Sequence, residues 1–343
     1  MKIKSLVLAI STVLCTTTVW ADNTVTTNTA GNYNTLTASQ QGGDGNTTSI
    51  TQSSDNNQST TSQSGNWNSA YVNQHNNNNY YGWYSNNGSG LTYISQVGDN
   101  NSATIDQSND AYYASQGNLG YQSNATINQQ SSYNSIANIY QTNQLGRNTA
   151  IINQTGLANT AYINQSLGSN NATLSQSGNN NYASINQTPW WSSNTASISQ
   201  DGSNNSASIN QDTGIYYLSS GNTASITQTN SNNQATINQT SNQSTATISQ
   251  SGSSDVASIS QPSGQNNSNA SVTQSGYSDT TTIAQGNGGG YGGYGWYDSI
   301  TVSQTGDSNS ATINQNVYGS TNYNNTANVT QSGYGNTATI TQQ

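Results

Sequence analysis

The side chains that usually carry chemistry are scarce in this sequence, and the abundant ones are amides. Charged residues make up 4% of the chain, His75 and Cys15 are each the sole copy of their type, and all twelve acidic residues are aspartate. His75 sits in the polar stretch HNNNNYYGWY and is expected in solvent, with no acid-base partner in reach. Asp298, Asp307 and most other aspartates fall in turn-like stretches, where bonding to nearby backbone explains them. The calcium-binding G-G-x-G-x-D nonapeptide does not recur. No catalytic set, metal site or cofactor is therefore expected, and the reading is of a protein that is not an enzyme. Glutamine and asparagine offer a different chemistry. Each amide both donates and accepts, so identical amides stacked at a fixed interval satisfy one another.

That interval is visible between Gln154 and Gln187, where QTGLANTAYINQ, QSLGSNNATLSQ and QSGNNNYASINQ run end to end, each closing on the glutamine that opens the next. The unit is glutamine, four turn-like residues, then N-x-A-x-I-x-Q. Asn159, Ala161, Ile163 and Gln165 are spaced by two and so share one face of a strand, with Thr160, Tyr162 and Asn164 on the other. Ser177, Gly178, Asn179 and Asn180 have the chemistry of a tight reversal, since Gly and Asn tolerate positive φ.

Reading onward from Thr29, 24 such strands close at glutamines 40, 52, 63, 74, 96, 107, 129, 141, 154, 165, 176, 187, 200, 211, 228, 239, 250, 261, 274, 285, 304, 315, 331 and 342. Two residues before the glutamine, 22 of the 24 positions hold Ile, Leu or Val; four before it, 18 hold Ala. A large residue beside a small one, always in that order, suits a narrow interior with one pocket per rung. Eight steps between glutamines span 13 residues or more, ending at Gln96, Gln129, Gln154, Gln200, Gln228, Gln274, Gln304 and Gln331. Counted from the strand that closes at Gln40, every one leads into an odd-numbered strand. The expected fold is therefore all-β: a parallel β-solenoid of two strands per coil and about 12 coils, with the long arcs on one edge and uncapped ends. At about 4.8 Å per coil it would be roughly 55 to 60 Å long. The 22-residue steps to Gln96 and Gln129 are read as single long arcs without an extra strand. Pro189, Pro262 and the glycine-rich run from Gly286 to Gly295 all fall in arcs, where the missing ladder donor and the weak strand formers do no harm.

Residues 1–21 read as a signal peptide: Lys2 and Lys4, an apolar segment from Leu6 to Leu14, and Val19-Trp20-Ala21 before the cut. The apolar run is well short of the roughly 20 residues of a bilayer crossing, so membrane insertion is not expected. Residues 22–28 are a short N-terminal segment and 29–343 the repeat domain. With the leader removed, Arg147 is the only cation and no cysteine remains, which excludes disulfides and thiolate sites. It equally leaves no basic surface for nucleic acid.

At Q-x-G-x-x-N-x-A-x-I-x-Q the chain resembles the curlin family, subunits of the functional-amyloid fibres called curli. Gln96, Gly98, Asn101, Ala103 and Gln107 match that motif, as do Gln200, Gly202, Asn205, Ala207, Gln211 and Gln304, Gly306, Asn309, Ala311, Gln315. The resemblance implies secretion through an outer-membrane pore of a Gram-negative-type bacterium. It also implies assembly on a nucleating subunit into a cell-surface fimbrium and biofilm matrix serving adhesion. Residues 22–28 do not resemble the family's export segment.

The amyloid-core ladder is then carried by Gln96, Asn101, Ala103, Ile105 and Gln107; Gln154, Asn159, Ala161, Ile163 and Gln165; and Asn181, Ala183, Ile185 and Gln187. Gln200, Asn205, Ala207, Ile209 and Gln211, then Gln304, Asn309, Ala311, Ile313 and Gln315, and finally Gln342, complete it. The partner expected first is another copy of the chain, added by strand pairing at an open end. Asp255 and Asp279 stand in the asparagine slot on adjacent coils, where stacked like charges would act as gatekeepers, slowing assembly near neutral pH. Lateral or matrix contacts are assigned to the aromatic arcs: Tyr80, Tyr81, Trp83, Tyr84; Trp190, Trp191; Tyr216, Tyr217; and Tyr291, Tyr294, Trp296, Tyr297. The alternatives are a secreted β-solenoid that binds or degrades carbohydrate, or one that binds ice through outward pairs such as Thr245 and Thr247. Against ice binding stand Tyr182 with Ser184 and Val256 with Ser258.

Overall fold

The repeat sets the shape of the whole molecule: seven residues that alternate inward and outward, then a reversal that returns the chain on the far side of the same narrow core. In the computed structural model the described residues are 22–31, 33–53, 56–77, 90–110, 123–143, 146–189, 192–212, 221–262, 267–287, 298–317 and 325–342. They form 25 strands, from β1 (Thr24–Ala30) and β2 (Thr35–Gln41) to β24 (Thr326–Tyr334) and β25 (Thr337–Gln342), and no helix. All odd-numbered strands make one 13-stranded sheet and all even-numbered strands a 12-stranded sheet, each strand pairing in parallel with the strand two before and two after it. The result is a β-solenoid of two strands per coil.

One expectation changes. Residues 22–28 are not a separate segment, because Thr24–Ala30 forms a further strand that pairs with β3 (Thr47–Ser53), Val25 beside Thr48 and Thr29 beside Gln52. The stack therefore holds 25 strands where glutamine counting finds 24, since β1 carries Val, Thr and Thr at the positions of Ala, Ile and Gln. With that shift of one, every long arc leads into the even-numbered sheet. Gln63 pairs with Gln96 and Gln96 with Gln129, so the two 22-residue steps add no strand to the stack. Pro189 and Pro262 both lie outside the strands, but the glycine run does not start outside them, as Gly286 belongs to β21 (Thr280–Asn287).

Alanine and isoleucine from the two sheets meet in one continuous core running the length of the stack. Ile185 and Ile209 illustrate it: each is buried and stands in register with its copies, in β13 (Tyr182–Gln187) and β15 (Ser206–Gln211). Each such side chain contributes about 1.5–3 kcal/mol before chain entropy is subtracted. The core weakens toward the N-terminal end. Leu36 and Ala38 exchange the usual small-then-large order there, and Thr48, Ser59 and Thr61 replace apolar residues. The Ser59 and Thr61 hydroxyls are buried without partners.

The tight edge is more ordered than a chain of loops. β12 (Asn171–Asn179) and β14 (Thr195–Ser203) continue past their glutamines, so that Gly178 pairs with Gly202 and Asn179 with Ser203. The reversal is completed by left-handed residues such as Asn180 (φ 55°) and Asn204 (φ 56°). At Gly202 (φ 137°) a Cβ would lie 1.8 Å from the Asn230 carbonyl oxygen, so the stacked arcs approach too closely for any side chain at this position.

Candidate functional site: amide ladders and open ends

The glutamine that closes each strand points inward, where burial obliges its amide to find partners. It finds them in its own copies. Along the even-numbered sheet, Nε2 of each glutamine from Gln40 to Gln304 donates to Oε1 of the next at 2.8 to 2.9 Å, without a break up to Gln331. The odd-numbered sheet carries the matching ladder from Gln52 to Gln342. The second amide hydrogen reaches a carbonyl of the facing sheet, as from Gln154 to Ile136 O (2.9 Å) and from Gln165 to Thr149 O (3.0 Å). One side chain thus ties its own sheet along the axis and the two sheets to each other.

Asparagine, six residues before the glutamine, does a related task at the bend. Asn159 Oδ1 accepts from the Asn181 backbone N–H at 3.0 Å, and Asn181 Oδ1 from that of Asn205 at 3.0 Å. The Nδ2 groups of Asn159 and Asn181 donate to the arc carbonyls of Gly178 (2.9 Å) and Gly202 (3.0 Å). All the ladder residues singled out from the sequence are buried except Gln342, which is half-buried at the end of its sheet.

Three aspartates occupy this asparagine slot. Asp255 and Asp279 lie on adjacent coils and are both buried, and Asp255 Oδ1 accepts the Asp279 backbone N–H at 3.0 Å. Their Oδ2 atoms, which replace the donating Nδ2 of asparagine, are buried without partners. Burial, more than the neighbouring Asp279 charge, pushes Asp255 up from 3.8 to about 6, against the opposing effect of the Asp279 N–H. Burial also raises Asp279, where the Asn309 N–H opposes it and the Asp307 charge adds to it. A protonated carboxyl offers an O–H where asparagine offers an N–H, so the neutral acid fits the slot and the carboxylate does not. Asp298 is the third: it is buried rather than in a solvated turn, accepts from the Asn325 N–H at 3.1 Å, and is raised mainly by burial. Its place six residues before Gln304 was the available signal.

Elsewhere the structure redistributes the expected contacts. The aromatic arcs assigned to lateral contacts, Tyr80, Tyr81, Trp83, Tyr84, Trp190, Trp191, Tyr216, Tyr217, Tyr291, Tyr294, Trp296 and Tyr297, lie outside the described residues, as do residues 1–21. His75 is not in a solvated arc but on β5 (Ser69–Asn77), half-buried, with Nδ1 buried and unpartnered. Missed from the sequence are Tyr71 and Tyr140, outward aromatics of the odd-numbered sheet that join Tyr182 there, each of the three more than 40% exposed. The Tyr162 and Tyr182 rings stand 6.0 Å apart. Thr245 and Thr247 are on the opposite face from Tyr182 and Val256, because β18 (Thr245–Gln250) is even-numbered. Their own neighbours are Thr223 with Ser225 and Asn269 with Ser271, a row of small polar side chains.

The ends differ from the middle. At the C-terminal end, Val329, Gln331, Ala338 and Ile340 line a groove of about 460 Å³ between β24 and β25. Gln331 and Gln342 each donate one hydrogen to the facing sheet, at 3.0 and 3.3 Å, and have no glutamine above them to take the other. At the N-terminal end the ladders terminate in acceptors, Gln40 and Gln52, and Gln52 Oε1 is buried without a partner. Among the described residues no cluster of three His, Cys, Asp or Glu side chains forms, and no helix is long and apolar enough to cross a membrane. Residues 192–215 and 242–276 match the curlin associated repeat. A search among curated proteins gives no match.

Proposed function

We propose that this chain, a relative of the curlin family through the repeats at 192–215 and 242–276, is a secreted structural subunit of an extracellular amyloid-type fibre, growing by strand addition at the ends of the stack. The observation that carries the reading is the polarity of the two glutamine ladders: every link donates in the same direction, leaving donors at one end and acceptors at the other. Head-to-tail contact joins donor to acceptor, whereas two like ends would set donor against donor. An assembly operation that repeats without closing gives fibres. Export through an outer-membrane pore, growth from a nucleating subunit, and service in adhesion and biofilm matrix belong to the same proposal, and the resemblance of the repeats at 192–215 and 242–276 to the curlin associated repeat supports them. The raised carboxyls of Asp255 and Asp279 are assigned the gatekeeping role, resisting assembly near neutral pH. The test is seeded growth of the purified protein: fibres with a 4.7 to 4.8 Å axial reflection support the reading, and monodisperse monomers after long incubation with seeds refute it.

The outward row of Thr, Ser and Asn on the even-numbered sheet favours one second reading, ice binding by a flat face. Thermal hysteresis in the absence of fibres would select it.

A further inference from the structure

The described residues form 25 strands, an odd number, and this has a consequence for any end-to-end contact between copies. Because strand n stacks on strand n − 2, seating the β1 of a second copy on β25 leaves the place above β24 empty, a full strand wide. Seating the second copy's β2 on β24 instead drives its β1 into the place held by β25. A half-turn of the second copy about the axis would seat its β1 on β24 and its β2 on β25, but Thr29 would then face Gln331 where the ladder needs a glutamine. Without that turn, either the even-numbered sheet is broken by a hole lined with unpaired backbone, or two strands compete for one position. Removing β1 resolves both: β2 then follows β24 and β3 follows β25, with both sheets continuous.

The lower end of the molecule shows the same misfit. β1 keeps the bend contact, since Asn23 Oδ1 accepts the Asn46 N–H at 2.9 Å. It does not keep the ladder. Thr29 stands opposite Gln52, is exposed, and leaves Gln52 Oε1 buried without a donor. Its other inward residues, Val25 and Thr27, are only half-buried over Thr48 and Ile50. The strand that would replace it from a neighbouring copy, β25, carries Ala338, Ile340 and Gln342 at these three positions.

Resting on the fibre reading above, we infer that β1 is a detachable blocking strand: copies join only when the β25 of one displaces the β1 of the next. The exchange keeps the seven-residue backbone pairing on β3 nearly constant, because one parallel strand replaces another. It adds a pairing between β24 and β2 that the separate molecules lack. It also closes both ladders, Gln331 donating to the incoming Gln40 and Gln342 to the incoming Gln52, so the buried Oε1 gains the donor it needs. The partner is thus a second copy of this chain, and the acceptor surface is the β2–β3 end uncovered by release of residues 24–30.

A reversible lock tests this. Thr26 and Ser49 are neighbours in register on the outer face, so Thr26→Cys with Ser49→Cys, in a chain where Cys15→Ser removes the other thiol, ties β1 to β3 when oxidised. Growth requires the blocking strand to be free in a fraction of molecules, and locking takes that fraction toward zero. Elongation of wild-type seeds by the oxidised protein is expected to fall at least about tenfold, to recover on reduction, and to be faster than wild type for a chain lacking residues 24–30. Equal elongation by oxidised and reduced protein, with fibres formed by both, overturns the blocking strand and leaves the fibre reading intact. Absence of fibres from wild-type, reduced and shortened chains alike overturns both.

Discussion

Replacing Gln187 by leucine interrupts a ladder in mid-stack and exposes what the ladder contributes. Gln187 accepts from Gln165 Nε2 at 2.9 Å, donates to Gln211 Oε1 at 2.9 Å and donates to Asn171 O at 3.3 Å. Leucine fills a similar volume, so the main loss is polar: one amide hydrogen of Gln165 and the Oε1 of Gln211 remain buried with nothing to bond. At about 1–3 kcal/mol for each orphaned group, the two sum to about 2–6 kcal/mol. The added apolar surface of leucine offsets part of this, leaving about 2–4 kcal/mol. A repeat array loses cooperativity over long distances, so one global midpoint would blur the effect. Native-state hydrogen exchange reads it locally. Protection of the amides in β13, β15 and β11 (Thr160–Ser166) should fall by roughly 30-fold to 1,000-fold, tenfold for each 1.4 kcal/mol. Gln342→Leu, at the half-buried end of the same ladder, should change monomer protection less than about fivefold while slowing fibre growth. Unchanged protection in the Gln187 variant would show that the side-chain ladder does not hold the rungs, and the reasoning would fail.

Three other outcomes follow from single residues. Ile185→Ala empties a buried pocket between the sheets and should cost about 2–5 kcal/mol by denaturation, against about 0.5–1.5 for Ile185→Val. Gly202→Ala places a Cβ 1.8 Å from Asn230 O at φ 137°, and should destabilise the arcs around β14 by about 1–3 kcal/mol, measured as lost exchange protection there. The Asp255 carboxyl titrates at about 6 in the fold against 3.8 ordinarily, so the folded state holds the proton more tightly than the unfolded chain. Its contribution is complete below about pH 3.8 and is lost as pH rises through about 6, a change of up to about 3 kcal/mol. Stability should therefore fall with rising pH across that window, and Asp255→Asn should flatten the profile and quicken assembly near neutral pH. An Asp255→Asn chain with the wild-type pH profile contradicts the assignment.

The two-sheet architecture was legible because three independent signals coincide in the sequence: the alternation, the Ala-then-Ile order, and the parity of the long arcs. Each reflects a constraint that every rung shares. What escaped reading lies where the constraint relaxes. β1 has the alternation of a strand but carries Thr29 where the register expects glutamine, so a count by glutamines passes over it. Asp298 was hidden behind a glycine and tyrosine stretch, although its offset from Gln304 matches that of Asn205 from Gln211. The outward residues misled for a geometric reason. Thr245 and Val256 are one repeat apart in sequence yet face opposite sides of the molecule, and only assignment of each strand to its sheet separates a small hydroxyl face from an aromatic one. Extension of strands such as β12 beyond their glutamines depends on arcs stacking on arcs, which a single repeat cannot reveal.

The central claim is that copies of a two-strand solenoid continue one another's sheets. The axial repeat of subunits in fibres grown from the purified protein, measured by electron microscopy, tests it most directly. Twelve shared coils at about 4.8 Å predict a repeat of roughly 55 to 60 Å beneath a 4.7 to 4.8 Å rung spacing. Fibres with the rung spacing running perpendicular to the solenoid axis, or a subunit repeat half as long, would contradict it.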